Sequence, residues 1–97
     1  MAYFTFAPAA ANDYREIRAF LTEEAGPETA ERILGGIDDA CQRIADLPRI
    51  GRARPELDPE IRSIPYDDDY VIFYFPRSFG ATIARIYHTS RDPDRVL

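Results

Sequence analysis

The apolar residues of this 97-residue chain change their spacing at Pro48, and that change constrains the fold more than any other feature. Before Pro48 they recur every three or four positions, which predicts one amphipathic helix over about residues 9–24 and a second that ends at Leu47. Gly26-Pro27 separates the two, because glycine suits the position after a helix and proline suits the first turn of the next. This half of the chain is therefore predicted to be a helical hairpin.

Beyond Pro48 the apolar residues alternate, as they do in half-buried strands. The pattern predicts strands over residues 61–64, 70–75 and 81–88, and an aromatic run predicts one more over residues 3–6. Consecutive strands joined by short turns pair antiparallel, and a hairpin with one apolar side covers one face of such a sheet. The expected fold is a single α+β domain spanning residues 1–97, of order β-α-α-β-β-β, with the helical hairpin packed on an antiparallel sheet.

Charge and hydropathy restrict the possible partners. The net charge is −5, from 17 acidic residues and 12 basic residues that are all arginine. An acidic chain lacks the long-range attraction to phosphate that drives nonspecific nucleic-acid binding. There is no apolar run of about 20 residues and no signal-peptide pattern, so we expect a soluble cytoplasmic protein that does not associate with membranes.

Few residues suit a metal or a cofactor. The single cysteine, Cys41, follows the apolar period of the second helix and is predicted to be a buried thiol. One cysteine and one histidine are too few ligands for zinc, and the three aspartates at 67–69 are predicted to form a solvated turn. No metal and no cofactor are expected.

Gly35-Gly36, inside the second helix, predicts the close approach of another element.

The last strand holds the candidate chemistry. If it is regular, Arg85 and Tyr87 share one face, while His88 lies on the other with Ala84 and Ile86. A lone histidine facing the apolar layer is more often structural than catalytic. Ribonuclease chemistry would need a base, an acid and cations around the phosphate. The residues that could supply these groups are Arg62, Arg85, His88 and Arg91, together with Tyr87 and Glu56.

Two other interpretations of the arginines stay open. In the first, Arg62, Arg85 and Arg91 form a basic ledge for an acidic target or antitoxin segment, and Asp92 is a further target-binding candidate. Alternatively, the strand arginines pair with acidic residues of the chain itself, for which the candidates are Glu56, Asp92 and Asp94. The clustered loop arginines Arg49, Arg52 and Arg54 indicate a contact surface or simple solvation.

An ordered set of short motifs runs along the chain: Asp13-Tyr14-Arg15-Glu16-Ile17, Leu47-Pro48 with Gly51-Arg52, Arg54-Pro55-Glu56-Leu57, Ile61-Arg62, the strand at 70–74, and Arg85-Ile86-Tyr87-His88 before Arg91-Asp92. This set resembles the ParE/RelE superfamily of bacterial toxins, and the ParE branch is the closer match. The resemblance covers nearly the whole chain, because the order of elements also agrees.

The resemblance implies a toxin of a type II toxin–antitoxin system, often described as a plasmid stabilisation protein. Such a toxin is held inactive in a hetero-oligomer with a ParD-like antitoxin, inhibits DNA gyrase by binding it, and meets DNA only through the antitoxin. No catalytic residue is then required. The alternatives are a RelE-like ribosome-dependent messenger RNA endoribonuclease and a non-toxic module that only binds an antitoxin. RelE-type enzymes use lysines and a tyrosine near the C-terminus, whereas this chain has no lysine and no tyrosine after Tyr87.

A chain this short cannot bury all its apolar residues, so some are expected to remain partly exposed and to receive the antitoxin. The candidates are Tyr14, Phe20, Leu21, Phe75 and Phe79.

Overall fold

Two helices pack on one face of a five-stranded sheet in the computed structural model, which describes residues 1–89. The elements are β1 (Tyr3–Phe6), α1 (Pro8–Ala25), α2 (Pro27–Asp46), β2 (Arg52–Ala53), β3 (Arg62–Tyr66), β4 (Tyr70–Arg77) and β5 (Gly80–His88). The predicted residues Arg91, Asp92 and Asp94 lie outside the described part of the chain. No helix in residues 1–89 has the length and apolar character needed to span a bilayer.

The strand order is β1-β5-β4-β3-β2. Strands β2 to β5 pair antiparallel, as expected from their short turns, but β1 pairs parallel with β5. The whole helical hairpin separates β1 from the other strands, so no tight turn fixes its direction, and the sheet is mixed. Strand β2 was not predicted, because a two-residue strand is too short to show a period.

Gly26 joins the two helices directly. Its φ of 93° lies in the region that favours glycine, and its N–H donates to the carbonyl of Thr22 at 3.1 Å. Its own carbonyl accepts from the N–H of Ala30 at 3.1 Å, so the same residue ends α1 and begins α2. This lets the chain reverse without a loop and brings both apolar faces onto the sheet.

The main core lies between the helices and the sheet. It includes Leu34, Ile37 and Cys41 of α2, so the predicted burial of the Cys41 thiol is confirmed. Burial raises the pKa of that thiol from 9.0 to about 12.

Gly36 also fits its prediction, because a Cβ there would lie 1.8 Å from the Tyr66 hydroxyl oxygen. For Gly35 the prediction is wrong, since a Cβ there would meet nothing within 4 Å.

A smaller apolar cluster covers the opposite face of the sheet, under the loop that joins β2 to β3. It consists of Ile61, Phe73, Ala84 and Tyr87, with Leu57 packed against them. The sheet is therefore covered on both faces over part of its area.

A β-bulge at Ala84 changes the alternation of β5. Tyr74 pairs with Ile83 and Phe73 pairs with Arg85, so Ala84 has no partner of its own on β4. Ala84 consequently joins the smaller cluster, and its predicted position beside Ile86 is wrong. The predicted separation of His88 from Tyr87 is confirmed, since His88 pairs with Tyr70 on the helix-covered face.

Candidate functional site

A carboxylate of α1 covers the outer edge of β5. Strand β1 pairs only with residues 80–83, so among residues 1–89 no strand flanks the rest of that edge. Asp13 lies there, is only 5% exposed, and accepts a hydrogen bond from the backbone N–H of Ile86 at 2.9 Å. The side chain thus satisfies a donor that a neighbouring strand would otherwise pair.

Asp13 also binds the candidate residue Arg85. The guanidinium donates from Nε to Oδ2 at 2.8 Å and from Nη2 to Oδ1 at 2.9 Å, a bidentate arrangement. This bond, above all, raises the pKa of Arg85. The Arg85 guanidinium also lies over the Tyr87 ring, with its central carbon 4.3 Å from the ring centroid. The expectation that Arg85 pairs with an acidic residue is confirmed, but Asp13 was not among the predicted partners.

Arg62 lies on the other face of the sheet and holds a loop. It pairs with Tyr74, a residue of the main core, and its Nη1 donates to the carbonyls of Gly51 at 2.6 Å and Arg49 at 3.3 Å. Strand β4 separates Arg62 from Arg85. The two arginines do not form one ledge, so that part of the prediction is wrong.

His88 lies at the end of β5, beside a groove between α1 and the sheet. Its ring meets the Tyr70 ring edge-on, with centroids 5.7 Å apart. The groove has a volume of about 440 Å³ and is lined by apolar residues that include Ile17 and Ile86 and by the acidic residues Asp13 and Glu16. Phe20, which is 61% exposed, also lines it. A groove of this kind can accept an apolar side chain next to a cation.

The five apolar residues predicted to bind an antitoxin are spread over the molecule. Phe20 is exposed as expected, whereas Leu21 is 8% exposed and belongs to the core, so its predicted exposure is wrong. Phe75 packs on the smaller cluster and Phe79 stacks on Tyr3 with centroids 4.7 Å apart. They do not make up one continuous surface.

Tyr14 is half-buried and its hydroxyl is engaged. It donates to the carboxylate of Asp38, at 3.0 Å from Oδ1 and 3.2 Å from Oδ2. Burial and this hydrogen bond raise the pKa of Tyr14 to about 12. Tyr14 therefore ties α1 to α2 as well as packing on the core.

The loop candidates have separate contacts. Arg54 donates to Glu56 at 2.7 Å and lies over the Phe73 ring, on the face of the smaller cluster. Arg49 and Arg52 are exposed. The aspartates at 67–69 lie in an exposed turn between β3 and β4, which confirms the predicted turn. Within residues 1–89, no cluster of three metal-ligating side chains is present.

Sequence reasoning missed two features of the surface. Asp13 could have been found, since it stands three positions after Ala10 on the buried side of α1, where a charged residue needs a partner. Leu47 and Ile50 are 58% and 44% exposed, and Ile50 lies in a loop that no apolar period explains. An apolar residue in such a loop is itself a signal of contact.

Comparison with known proteins identifies the family. The family model described as the ParE toxin of type II toxin–antitoxin systems, parDE, matches residues 4–93. The chain belongs to the ParE toxin family. It is 32% identical over 95 residues to a protein named Toxin ParE1 in two strains of Mycobacterium tuberculosis, covering 97% of this chain and 96% of the relative.

The ParE fold is also found in a solved structure described as the chromosomal ParDE TA system from P. aeruginosa. The TM-score to one of its chains is 0.75, with 20% identity, over 91% of this chain and 96% of the other. The likeness in fold extends over nearly the full length of both chains.

Proposed function

We propose that this ParE-family toxin is neutralised by a ParD-like antitoxin and inhibits DNA gyrase by binding to it, without covalent chemistry of its own. Membership in the ParE family supports the role as a toxin, and the likeness to a chain of a ParDE structure favours an antitoxin of ParD type. The resemblance in sequence motifs supports gyrase as the target, and a toxin that inhibits gyrase acts in the cytoplasm.

The dispersal of the candidate nuclease residues favours binding over phosphodiester cleavage. A nuclease must bring a base, an acid and cations to one phosphate. Arg62 lies on the helix-covered face and donates to loop carbonyls, whereas Arg85 lies on the opposite face and pairs with Asp13. Within residues 1–89 these cations do not converge on one point.

The candidate acids and bases do not converge either. The hydrogen bond from Arg54 is the main reason that the pKa of Glu56 is lowered, which keeps its carboxyl ionised and unsuited to donating a proton. Glu56 lies in the loop between β2 and β3, which covers the face of the smaller cluster, while His88 belongs to the helix-covered face. The arrangement of these groups supports a toxin that acts through its surface.

A supercoiling assay tests the target. Purified toxin added to gyrase and relaxed plasmid should block supercoiling, whereas relaxation of the same plasmid by a type I topoisomerase should be unaffected. The variant His88→Gln can still form hydrogen bonds but cannot transfer a proton as imidazole does. It should inhibit gyrase as strongly as the unmodified toxin does. A proton-transfer catalyst would lose roughly a hundredfold in rate on this change.

Induction in cells separates the alternatives. Growth should stop with blocked replication and a DNA-damage response before translation falls, and co-expression of the antitoxin should relieve the arrest. Cleavage of ribosome-bound messages that disappears with His88→Gln would overturn the proposal in favour of a nuclease. A partner that binds a chain causing no arrest would instead indicate a non-toxic module.

A further inference from the structure

A rigid loop holds apolar side chains in solvent at the end of α2. The buried hydroxyl of Tyr74 accepts from the N–H of Gly51 at 2.8 Å and donates to the carbonyl of Pro48 at 2.8 Å. Arg62 binds two further carbonyls of the same loop. A Cβ on Gly51 would lie 2.5 Å from the Tyr74 hydroxyl oxygen, so the close approach requires glycine. These contacts fix the loop before any partner arrives.

The loop presents Leu47 and Ile50, which are 58% and 44% exposed. With Pro48 and Pro76 they line a cavity of about 690 Å³ between the loop and the β4–β5 turn, and Arg49 and Arg77 also line it. We call these six residues the loop–turn surface. Exposed apolar residues that cluster beside arginines are typical of protein interfaces, since a fixed surface loses little conformational entropy on binding.

The two ends of strand β4 carry different charges. Strand β4 begins at the turn that holds three aspartates and ends at Arg77, and the loop–turn surface lies at this second end. Arg49 and Arg77 are exposed, and none of the ion pairs within residues 1–89 involves them. Asp46, the acidic residue lining the cavity, accepts a hydrogen bond from Gln42 at 3.0 Å. On a chain of net charge −5, this concentration of cations favours an acidic partner.

We propose that the loop–turn surface binds an acidic segment of the antitoxin, with an apolar residue of that segment seated between Leu47 and Pro76 and carboxylates on Arg49 and Arg77. The assignment to the antitoxin depends on the proposed function. The chemistry of the segment depends only on the surface, because the apolar cavity and its two cations are preformed.

A defined peptide tests the surface without any antitoxin. A synthetic peptide with leucines flanked by glutamates is titrated into the ¹⁵N-labelled protein at low salt, beside a matched peptide with lysines in place of glutamates. The acidic peptide should shift the amide signals of Leu47, Ile50 and Ser78, and the lysine peptide should not. Shifts that are absent at millimolar concentration, equal for both peptides, or centred on Phe20 and His88 overturn the proposal.

Charge reversal tests the antitoxin. The double variant Arg49→Glu/Arg77→Glu should weaken binding of the antitoxin by about tenfold per arginine, with a reduced dependence on salt. The control Arg15→Glu/Arg32→Glu changes the net charge equally at exposed helix positions and should bind normally. Thermal melts confirm that both variants fold.

An apolar pair completes the design. Leu47→Ser should weaken binding, while Tyr3→Ser removes a similarly exposed aromatic side chain outside the surface and should have little effect. If the antitoxin binds all four variants equally, the surface assignment fails although the proposed function stands. If no antitoxin binds the unmodified toxin, the proposed function fails, and the peptide titration alone decides whether the surface exists.

Discussion

Removing the carboxylate of Asp13 should destabilise the fold more than most single substitutions. Asp13→Ala leaves the Arg85 guanidinium without this anion and the Ile86 N–H without an acceptor. Breaking a buried ion pair from one side costs about 3–5 kcal/mol. The Arg85 side chain is 24% exposed, so water solvates it partly, and we expect the lower value of about 3 kcal/mol.

The melting temperature converts that free energy into a measurable shift. For a domain of this size, 1 kcal/mol corresponds to about 4–8 °C, so Asp13→Ala should melt about 12–24 °C lower. Asp13→Asn retains an oxygen that can accept from the Ile86 N–H, so its loss should be about half as large. Asp39→Ala removes an exposed carboxylate from α2 and serves as the matched control.

A double-mutant cycle distinguishes pairing from packing. Because Asp13→Ala leaves a cation without its anion, adding Arg85→Leu to it should recover part of the lost stability. A melting temperature for Asp13→Ala within about 4 °C of the unmodified protein would refute the reasoning, as would strictly additive effects. Arg85→Ala also breaks this pair. A loss of toxicity in that variant is therefore evidence about the target only when its melting temperature is measured as well.

Three further experiments test the packing of α2, the loop after α2 and the Cys41 thiol. In the middle of α2, Gly35→Ala should raise the free energy of unfolding, measured by denaturant unfolding, by about 0.5–1 kcal/mol. Gly36→Ala should not raise it, because the new Cβ would meet the Tyr66 ring. The stabilisation should appear at Gly36 only when Tyr66→Ala has removed that ring. Tyr74→Phe leaves the loop without its hydroxyl contacts and should cost about 1–3 kcal/mol, with faster hydrogen exchange at the loop amides. Burial raises the pKa of the Cys41 thiol from 9.0 to about 12, so above about pH 9 the thiol ionises in the unfolded chain before it does in the fold. Cys41 alone should therefore lower the free energy of unfolding by about 1.4 kcal/mol per pH unit above pH 9, and Cys41→Ala should remove this contribution.

Local pattern was sufficient to predict every helix and strand except the two-residue β2. The periodic residues Leu34, Ile37 and Cys41 predicted one face of α2, and each is buried. Alternation predicted β4 and β5 to within two residues at either end. Helix and strand periods depend on neighbours a few positions apart, so the order of elements and the packing of the hairpin on the sheet follow from the sequence alone. The motif order was enough to indicate the ParE family.

Tertiary structure decided which side chains meet. Asp13 and Arg85 are 72 positions apart, and no local pattern relates them. The bulge at Ala84 moved one residue of β5 to the other face, and the strand order placed β4 between the two arginines that were expected to act together. Leu47 and Ile50 are exposed because Tyr74 and Arg62 hold their loop from the distant strands β4 and β3. Such contacts depend on the register and direction of strands, which long-range pairing fixes and the spacing of residues along the chain does not.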